Sequence, residues 1–191
     1  ESYKFDLIIN CAAYTAVDKA ETHEKEANLI NHLAVKKIAE LAQINSIKLI
    51  HISTDFVFDG LKHGLYNESD VTGPLSIYGK TKLAGENAVL SIMKYNAIII
   101  RTSWVYSEYG NNFVDTILKL IQKRDELNIV SDQMGSPTYA NDLGQLILNI
   151  MNSDKFISSK KASEIYHYSN EGECSWYDFA SEIGNISRIK C

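Results

Sequence analysis

Short apolar runs rich in isoleucine recur at Leu7–Asn10, Lys48–Ser53 and Ala97–Ser103, each bounded by polar residues. They show no alternation of apolar and polar positions, which predicts strands buried on both faces. Between the first two runs, Ala27, Ile30, Ala34, Ile38 and Leu41 recur every three or four residues over Glu24–Gln43, with Lys and Glu filling the opposite side. That spacing predicts an amphipathic helix. Over Ser76–Met93 the same rhythm runs less cleanly through Ile77, Thr81, Ala84, Ala88 and Ile92. The order βαβαβ with strands of buried type predicts an α/β fold, in which a doubly wound parallel sheet carries helices on its faces and is joined by right-handed crossovers.

Beyond Tyr106 the rhythm changes. The pattern predicts a helix near Asn112–Lys123, a strand at Leu127–Ser131, a polar turn at Asp132–Thr138, a helix near Ala140–Met151 and a short strand at Tyr166–Ser169. Asn152–Ser163, rich in serine and lysine, reads as a flexible surface loop. No internal repeat is visible.

Composition narrows the classes. The chain has 191 residues, 45% hydrophobic and 23% charged, with a net charge of −5, values of an ordinary globular chain rather than a disordered or fibrous one. Its apolar runs fall far short of the roughly 20 residues of a membrane span, and no signal peptide opens it, so a cytoplasmic location and no membrane partner are expected. Three cysteines and five histidines are scattered without metal-ligand spacing, so neither a disulfide framework nor a metal is expected. Lysine pairs such as Lys36-Lys37 and Lys160-Lys161 are too short to form a phosphate-neutralising face, and no nucleic-acid partner is expected.

Parallel sheets bind ligands outside the carboxyl ends of their strands, which directs attention to Cys11–Thr15, Thr54–Gly60 and Trp104–Tyr106. Tyr78 and Lys82 stand four residues apart in the predicted second helix and so share one face. Such a pair arises by chance about once in a chain this rich in Tyr and Lys; its context supplies the specificity. The strand before it ends in Ser53-Thr54, whose hydroxyls are expected at the ligand edge. A hydroxyl, a phenol and an ammonium brought together suit proton delivery to a carbonyl oxygen, with the lysine expected to lower the phenol pKa toward neutrality.

These residues carry a resemblance. Ser53-Thr54-Asp55 with Tyr78-Gly-Lys-Thr-Lys82 looks like the extended short-chain dehydrogenase/reductase superfamily. The segments Asn10–Glu21, Ser53–Gly60, Tyr78–Glu86, Arg101–Tyr106, Gly110–Phe113 and Asp132–Thr138, in order and at family spacing, resemble the dTDP-4-dehydrorhamnose reductase family within it. The resemblance implies a partial Rossmann domain over residues 1–106 carrying the catalytic triad, and a smaller part over 107–191 that mainly binds sugar nucleotide, with 164–170 returning to the sheet. It implies reduction of the C4 keto group of a dTDP-linked 4-keto sugar, dTDP-4-dehydro-L-rhamnose, by hydride from NADPH or NADH. Tyr78 would donate the proton, Lys82 would hold the nicotinamide ribose and Thr54 would complete the triad. Ala12, Ala13, Tyr14, Thr15 and Ser53 would line the cofactor with Tyr78 and Lys82, while Thr54, Asp55, Trp104, Asn112 and Gln133 would touch the substrate. A homodimer is compatible with this family.

Blander readings stand beside these. Asp55 equally suits a cap of the following turn. Trp104 could be core, and Trp176 and Phe179 read as core. Asp18, Lys19 and Glu21 read as a solvated helix start, and Cys11 as a small buried residue with no neighbouring cation. No Gly-x-x-Gly-x-x-Gly occurs, so the chain reads as a copy of the family pattern without its glycine-rich start or its final elements, and without the residue that separates NAD from NADP. Two other functions fit the pattern: a non-catalytic regulatory subunit resembling the beta subunit of methionine adenosyltransferase, and a reductase or epimerase of another nucleotide sugar.

Overall fold

In the computed structural model, which describes residues 4–157 and 162–188, the apolar runs become neighbouring parallel strands. The elements along the chain are β1 (Leu7–Asn10), α1 (Val17–Ala20), α2 (Glu24–Asn28), a π-helical turn (Leu29–Ala34), α3 (Val35–Ile44), β2 (Lys48–Thr54), a 3-10 turn (Asp55–Val57), α4 (Ile77–Ile92) and β3 (Ala97–Thr102). There follow β4 (Val105–Tyr106), α5 (Phe113–Ile121), β5 (Met134–Gly135), β6 (Thr138–Tyr139), α6 (Ala140–Met151), α7 (Asp154–Ile157), β7 (Glu164–His167), β8 (Cys174–Ser175) and α8 (Trp176–Ser187).

Cα packing divides the chain into two compact units: Glu1–Thr102 with Asn152–His167, and Ser103–Met151 with Tyr168–Cys191. The first is an α/β unit around a parallel sheet of order β1-β2-β3-β7. Its central strands are buried as their composition predicts, and Leu49 and Ile99 pack with Val35, Ala39 and Ala42 of α3 and with Val89 and Met93 near the end of α4. The second unit has two short two-stranded pairs, β4 with β6 and β5 with β8. Its core joins Ile117 and Ile121 of α5 to Ile183 of α8.

Several expectations are corrected. Residues 127–131 form no strand; Leu127 and Ile129 instead pack as side chains against the α5–α8 core, so their apolarity served a helix pair. The strand expected at Tyr166–Ser169 begins at Glu164 and ends at His167, in register with Ile98–Arg101. Part of the expected loop at 152–163 is helix α7, which Lys48 ties down by donating to the Ile157 carbonyl at 2.9 Å; residues 158–161 lie outside the described residues. The single helix expected over Glu24–Gln43 contains the π-helical turn, centred on fully buried Asn31.

Helix α4 is the least regular amphipath in sequence because its buried face is not apolar. Tyr78, Gly79, Thr81, Lys82, Gly85, Glu86, Ala88 and Val89 are all buried, so the inward stripe is centred on Lys82 and Glu86; of the predicted positions Thr81 and Ala88 lie on it, while Ile77, Ala84 and Ile92 are half-buried. Glycine at 85 permits contact with the π-helical turn: a Cβ there would lie 2.2 Å from the Asn31 carbonyl oxygen. Gly85→Ala is therefore expected to destabilise the fold by about 2 kcal/mol or more, although alanine is the better helix former by about 1 kcal/mol. Denaturant melts of the two proteins check this; equal or greater stability of the variant would contradict it.

Candidate active site

Strand β2 delivers Thr54 to its carboxyl end. There the Thr54 hydroxyl caps the 3-10 turn, accepting from the Phe56 N–H at 3.2 Å and donating to Asp55 Oδ1 at 3.0 Å. Helix α4 begins nearby, capped by Ser76 Oγ on the Gly79 N–H at 3.1 Å. Glu21 adds a second cap, its carboxylate accepting from the Ile77 N–H at 2.8 Å. The expectation that Glu21 is merely solvated is thus corrected: a free helix N-terminus offers donors that a carboxylate satisfies.

One residue into the helix, Tyr78 is 8% exposed and packs edge-on against Phe56 with ring centroids 5.5 Å apart. Burial raises its pKa above the ordinary 10, the Thr54 hydroxyl opposing and the Asp55 charge adding to the rise. The expected lowering by Lys82 is not what governs this phenol. The Lys82 ammonium, 2% exposed, donates to the Ile52 carbonyl at 2.7 Å, and burial brings its pKa down to about 8 against the opposing pull of Glu86 and Cys11. Asp55 is pushed up to about 6, again by burial, although the Thr54 hydroxyl and nearby backbone N–H groups favour its charged form. The cap of this turn is Thr54, so the reading of Asp55 as its cap is corrected: the Asp55 carboxylate accepts from the Thr54 hydroxyl instead.

Beside this trio lies the loop after β1. Ala12 N–H donates to Asn10 Oδ1 at 3.2 Å, and Asn31 holds Tyr14 by both backbone groups, accepting from its N–H at 2.8 Å and donating to its carbonyl at 3.1 Å. Asn31 also donates to Thr81 Oγ1 of α4 at 3.2 Å. Ala12 and Thr15 are exposed, and Ala13 and Tyr14 half-buried. Cys11 is exposed and has the Lys82 charge near it, contrary to expectation, yet its thiol pKa is raised because desolvation of the sulfur outweighs that charge.

Ser53, alternating to the other face of β2, turns its hydroxyl inward onto Glu86. Asn10 Nδ2 donates to His51 Nδ1 at 3.1 Å, which leaves the ring proton on Nε2, a buried atom with no partner among the described residues. Burial, with the Lys82 charge adding, lowers the His51 pKa to about 3.

The other candidates belong to the second unit. Trp104 has a left-handed backbone (φ 48°) and stacks on Trp176 with centroids 3.5 Å apart. A Cβ at Gly135 would lie 2.5 Å from its indole. Asn112 caps α5, accepting from the Asp115 N–H at 3.1 Å, and donates to the Ser107 carbonyl at 2.7 Å. Gln133 is exposed ahead of β5. Thr54, Tyr78, Lys82, Asp55 and Ala12–Thr15 are thus gathered in one unit, and Trp104, Asn112 and Gln133 are carried by the other.

Comparison with known proteins gives this geometry its family. Residues 1–190 match the family described as the RmlD substrate binding domain. The chain belongs to that family. A dTDP-4-dehydrorhamnose reductase of Aggregatibacter actinomycetemcomitans is 45% identical over 184 residues, 96% of this chain and 62% of the relative. One from Sinorhizobium fredii is 47% identical over 181 residues, 95% of this chain and 61% of the relative. The crystal structure of the Clostridium acetobutylicum dTDP-4-dehydrorhamnose reductase superposes with a TM-score of 0.89 at 41% identity, covering 96% of this chain and 62% of that one. The Bacillus anthracis enzyme, solved in complex with NADP, gives 0.88 at 40%, covering 97% and 63%. The chain therefore has the Rossmann-like α/β fold of these reductases and spans somewhat over three-fifths of their length.

Three features of this RmlD-family chain have little or no signal in its sequence. Asn31 had a signal, a lone amide on the apolar face of Ala27, Ile30 and Ala34. Glu86 continues the Tyr78–Lys82 spacing by another four residues. The pairing of Asn10 with His51 across β1 and β2 depends on strand register and had no local signal. His51 also yields a pH dependence. Its folded pKa lies below the ordinary 6.5, so the native state binds fewer protons than the unfolded one, and the stability present above about pH 6.5 is lost as pH falls toward 3. His51→Gln, which keeps an acceptor for Asn10, is expected to remove up to a few kcal/mol of that acid loss. Urea melts between these pH values check this; parallel curves for the two proteins would contradict it.

Proposed function

We propose that the protein carrying this sequence reduces the C4 keto group of dTDP-4-dehydro-L-rhamnose to dTDP-L-rhamnose with NADPH or NADH. The observation that carries the reading is a phenol, Tyr78, kept protonated by burial, packed on Phe56 of the turn that begins at Thr54, and one helical turn from the Lys82 ammonium. Supporting it are relatives named for this reaction at 45% and 47% identity.

A nicotinamide cofactor would supply the hydride. The residues present suit one: the exposed or half-buried Ala12 and Ala13 leave room for close approach after β1, and Lys82 spends one of its three donors on Ile52. Under this reading, Lys82 holds the nicotinamide ribose, and Ala12, Ala13, Tyr14 and Thr15 line the cofactor. The Thr54 hydroxyl orients the substrate carbonyl. Tyr78 gives its proton to the carbonyl oxygen as the alcohol forms, and the resulting phenolate is stabilised by the charge on Lys82. Asp55, with its pKa near 6, lies beside Thr54 and meets the substrate.

In the full chain carrying this sequence, Tyr78→Phe is expected to lower kcat by about 10²-fold or more, with circular dichroism unchanged. NADPH oxidation in the presence of the dTDP-linked 4-keto sugar measures it. Equal rates in the two proteins would remove Tyr78 as the proton donor. A wild-type protein that binds NADPH without turnover would favour the regulatory-subunit reading instead.

A further inference from the structure

Glu86 has no part in the chemistry described above, yet it is among the most buried charged groups of the first unit, 1% exposed. It lies on α4 four residues after Lys82, as Lys82 lies four after Tyr78, so the three share one helical face. Its carboxylate accepts from Arg101 Nε at 3.0 and 3.2 Å and from Arg101 Nη2 at 2.7 Å, and also accepts from the Ser53 hydroxyl. Ser53 and Arg101 are register partners on β2 and β3, and the next pair is Thr54 with Thr102. One carboxylate therefore bonds helix α4 to two strands in the row immediately before the catalytic threonine.

We propose that Glu86 is a positioning residue for the reduction: it fixes the phase of α4 on β2 and β3 so that Tyr78 meets Thr54, and it supplies the negative charge that keeps Lys82 an ammonium. The inference rests on the reductase reading.

Two features make the second role physical. Lys82 is desolvated, which disfavours its charge, and Glu86 is the largest influence opposing that loss. The other groups facing Lys82 are Cys11 after β1, Tyr78 on its own helix and His51 on β2; His51 is held neutral by its own burial and by the lysine. The π-helical turn packed against α4 contributes the neutral amide of Asn31. On the far side of Glu86, Arg101 lies over the Phe58 ring at 5.1 Å and reaches His167 Nε2 at 3.5 Å. The backbone N–H of His167 donates to Glu68 at 2.8 Å. Neutralising Glu86 thus leaves Lys82 with less to hold its proton, and leaves Arg101 buried and unpaired.

The test uses the full chain carrying this sequence and two readouts: the pH profile of kcat/KM with NADPH and the dTDP-linked 4-keto sugar, and the titration of ¹³Cε-labelled Lys82 by NMR. Glu86→Gln is expected to move the midpoint of the Lys82 titration, and with it the alkaline limb of the rate profile, down by about one pH unit. Glu86→Asp, which restores the charge on a shorter stem, is expected to return the midpoint toward that of wild type. Because Glu86→Gln strands Arg101, the double variant Glu86→Met with Arg101→Met removes both charges into apolar packing that buried pairs tolerate, and it should shift the midpoint down by less, since the Arg101 cation goes with the Glu86 anion. Superimposable titrations in folded variants and wild type would overturn the proposal. Collapse of both the single and the double variant would also overturn it, since Glu86 would then serve folding alone. Absence of turnover in wild type would instead sink the reductase reading, while the Lys82 titration still decides whether Glu86 holds its charge.

Discussion

A Cβ atom at Gly79 would sit 2.2 Å from the Phe56 carbonyl oxygen and 2.9 Å from Pro74 Cβ, and one at Gly85 would sit 2.2 Å from the Asn31 carbonyl oxygen. Helix α4 thus rests directly on backbone at two points of its buried face, once on the turn that follows Thr54 and once on the π-helical turn that holds Tyr14. Backbone approaches this close require residues without side chains. The positions of Tyr78 and Lys82 follow from that contact, because a rigid helix fixed at two points has no freedom to roll or slide. The aromatic contact of Tyr78 with Phe56 and the hydrogen bond of Asn31 to Thr81 lie along the same seam.

Such a seam admits polar groups that an ordinary core would reject. Lys82, Glu86 and Arg101 are all nearly inaccessible, and Glu86 is paired with Arg101 at 2.7 Å; removing one partner of a buried ion pair costs several kcal/mol of stability. The sheet supplies the geometry. Parallel pairing of β2 with β3 sets Ser53 beside Arg101 and Thr54 beside Thr102, so the row that binds Glu86 and the row that offers the Thr54 hydroxyl are consecutive. Burial then does opposite things to the two groups that the proposed reduction uses, raising the Tyr78 phenol and lowering the Lys82 ammonium. At neutral pH the first is kept as an acid and the second stays mainly charged.

Much of this was legible in the sequence, for local reasons. The strands β1, β2 and β3 announce themselves by unbroken apolar runs, and α5 and α6 by clean amphipathic spacing. Tyr78, Lys82 and Thr54 follow from a helix face and a strand end. What was hidden depends on neighbours distant in the chain. Helix α4 hides its inward face because that face is built from Lys82 and Glu86, which a hydropathy pattern assigns to solvent. The π-helical turn at Leu29–Ala34 has the composition of plain α-helix and differs only in packing. Leu127 and Ile129 look like a strand because an apolar pair ahead of a turn reads the same whether it pairs or packs. The expected pull of Lys82 on the Tyr78 pKa failed for a related reason: helical spacing shows that two groups share a face, but burial outweighs proximity once both leave water.

In the proposed reduction, the placement of Tyr78 beside Thr54 depends on backbone contact between α4 and the turn after β2. The most direct measurement is kcat for Gly79→Ala in the full chain carrying this sequence, since this change adds one methyl group and alters no reacting or charged atom. With the variant shown to be folded by circular dichroism, the account predicts a loss of about 10²-fold, the cost of displacing catalytic groups by about an ångström. Turnover equal to that of wild type would contradict it.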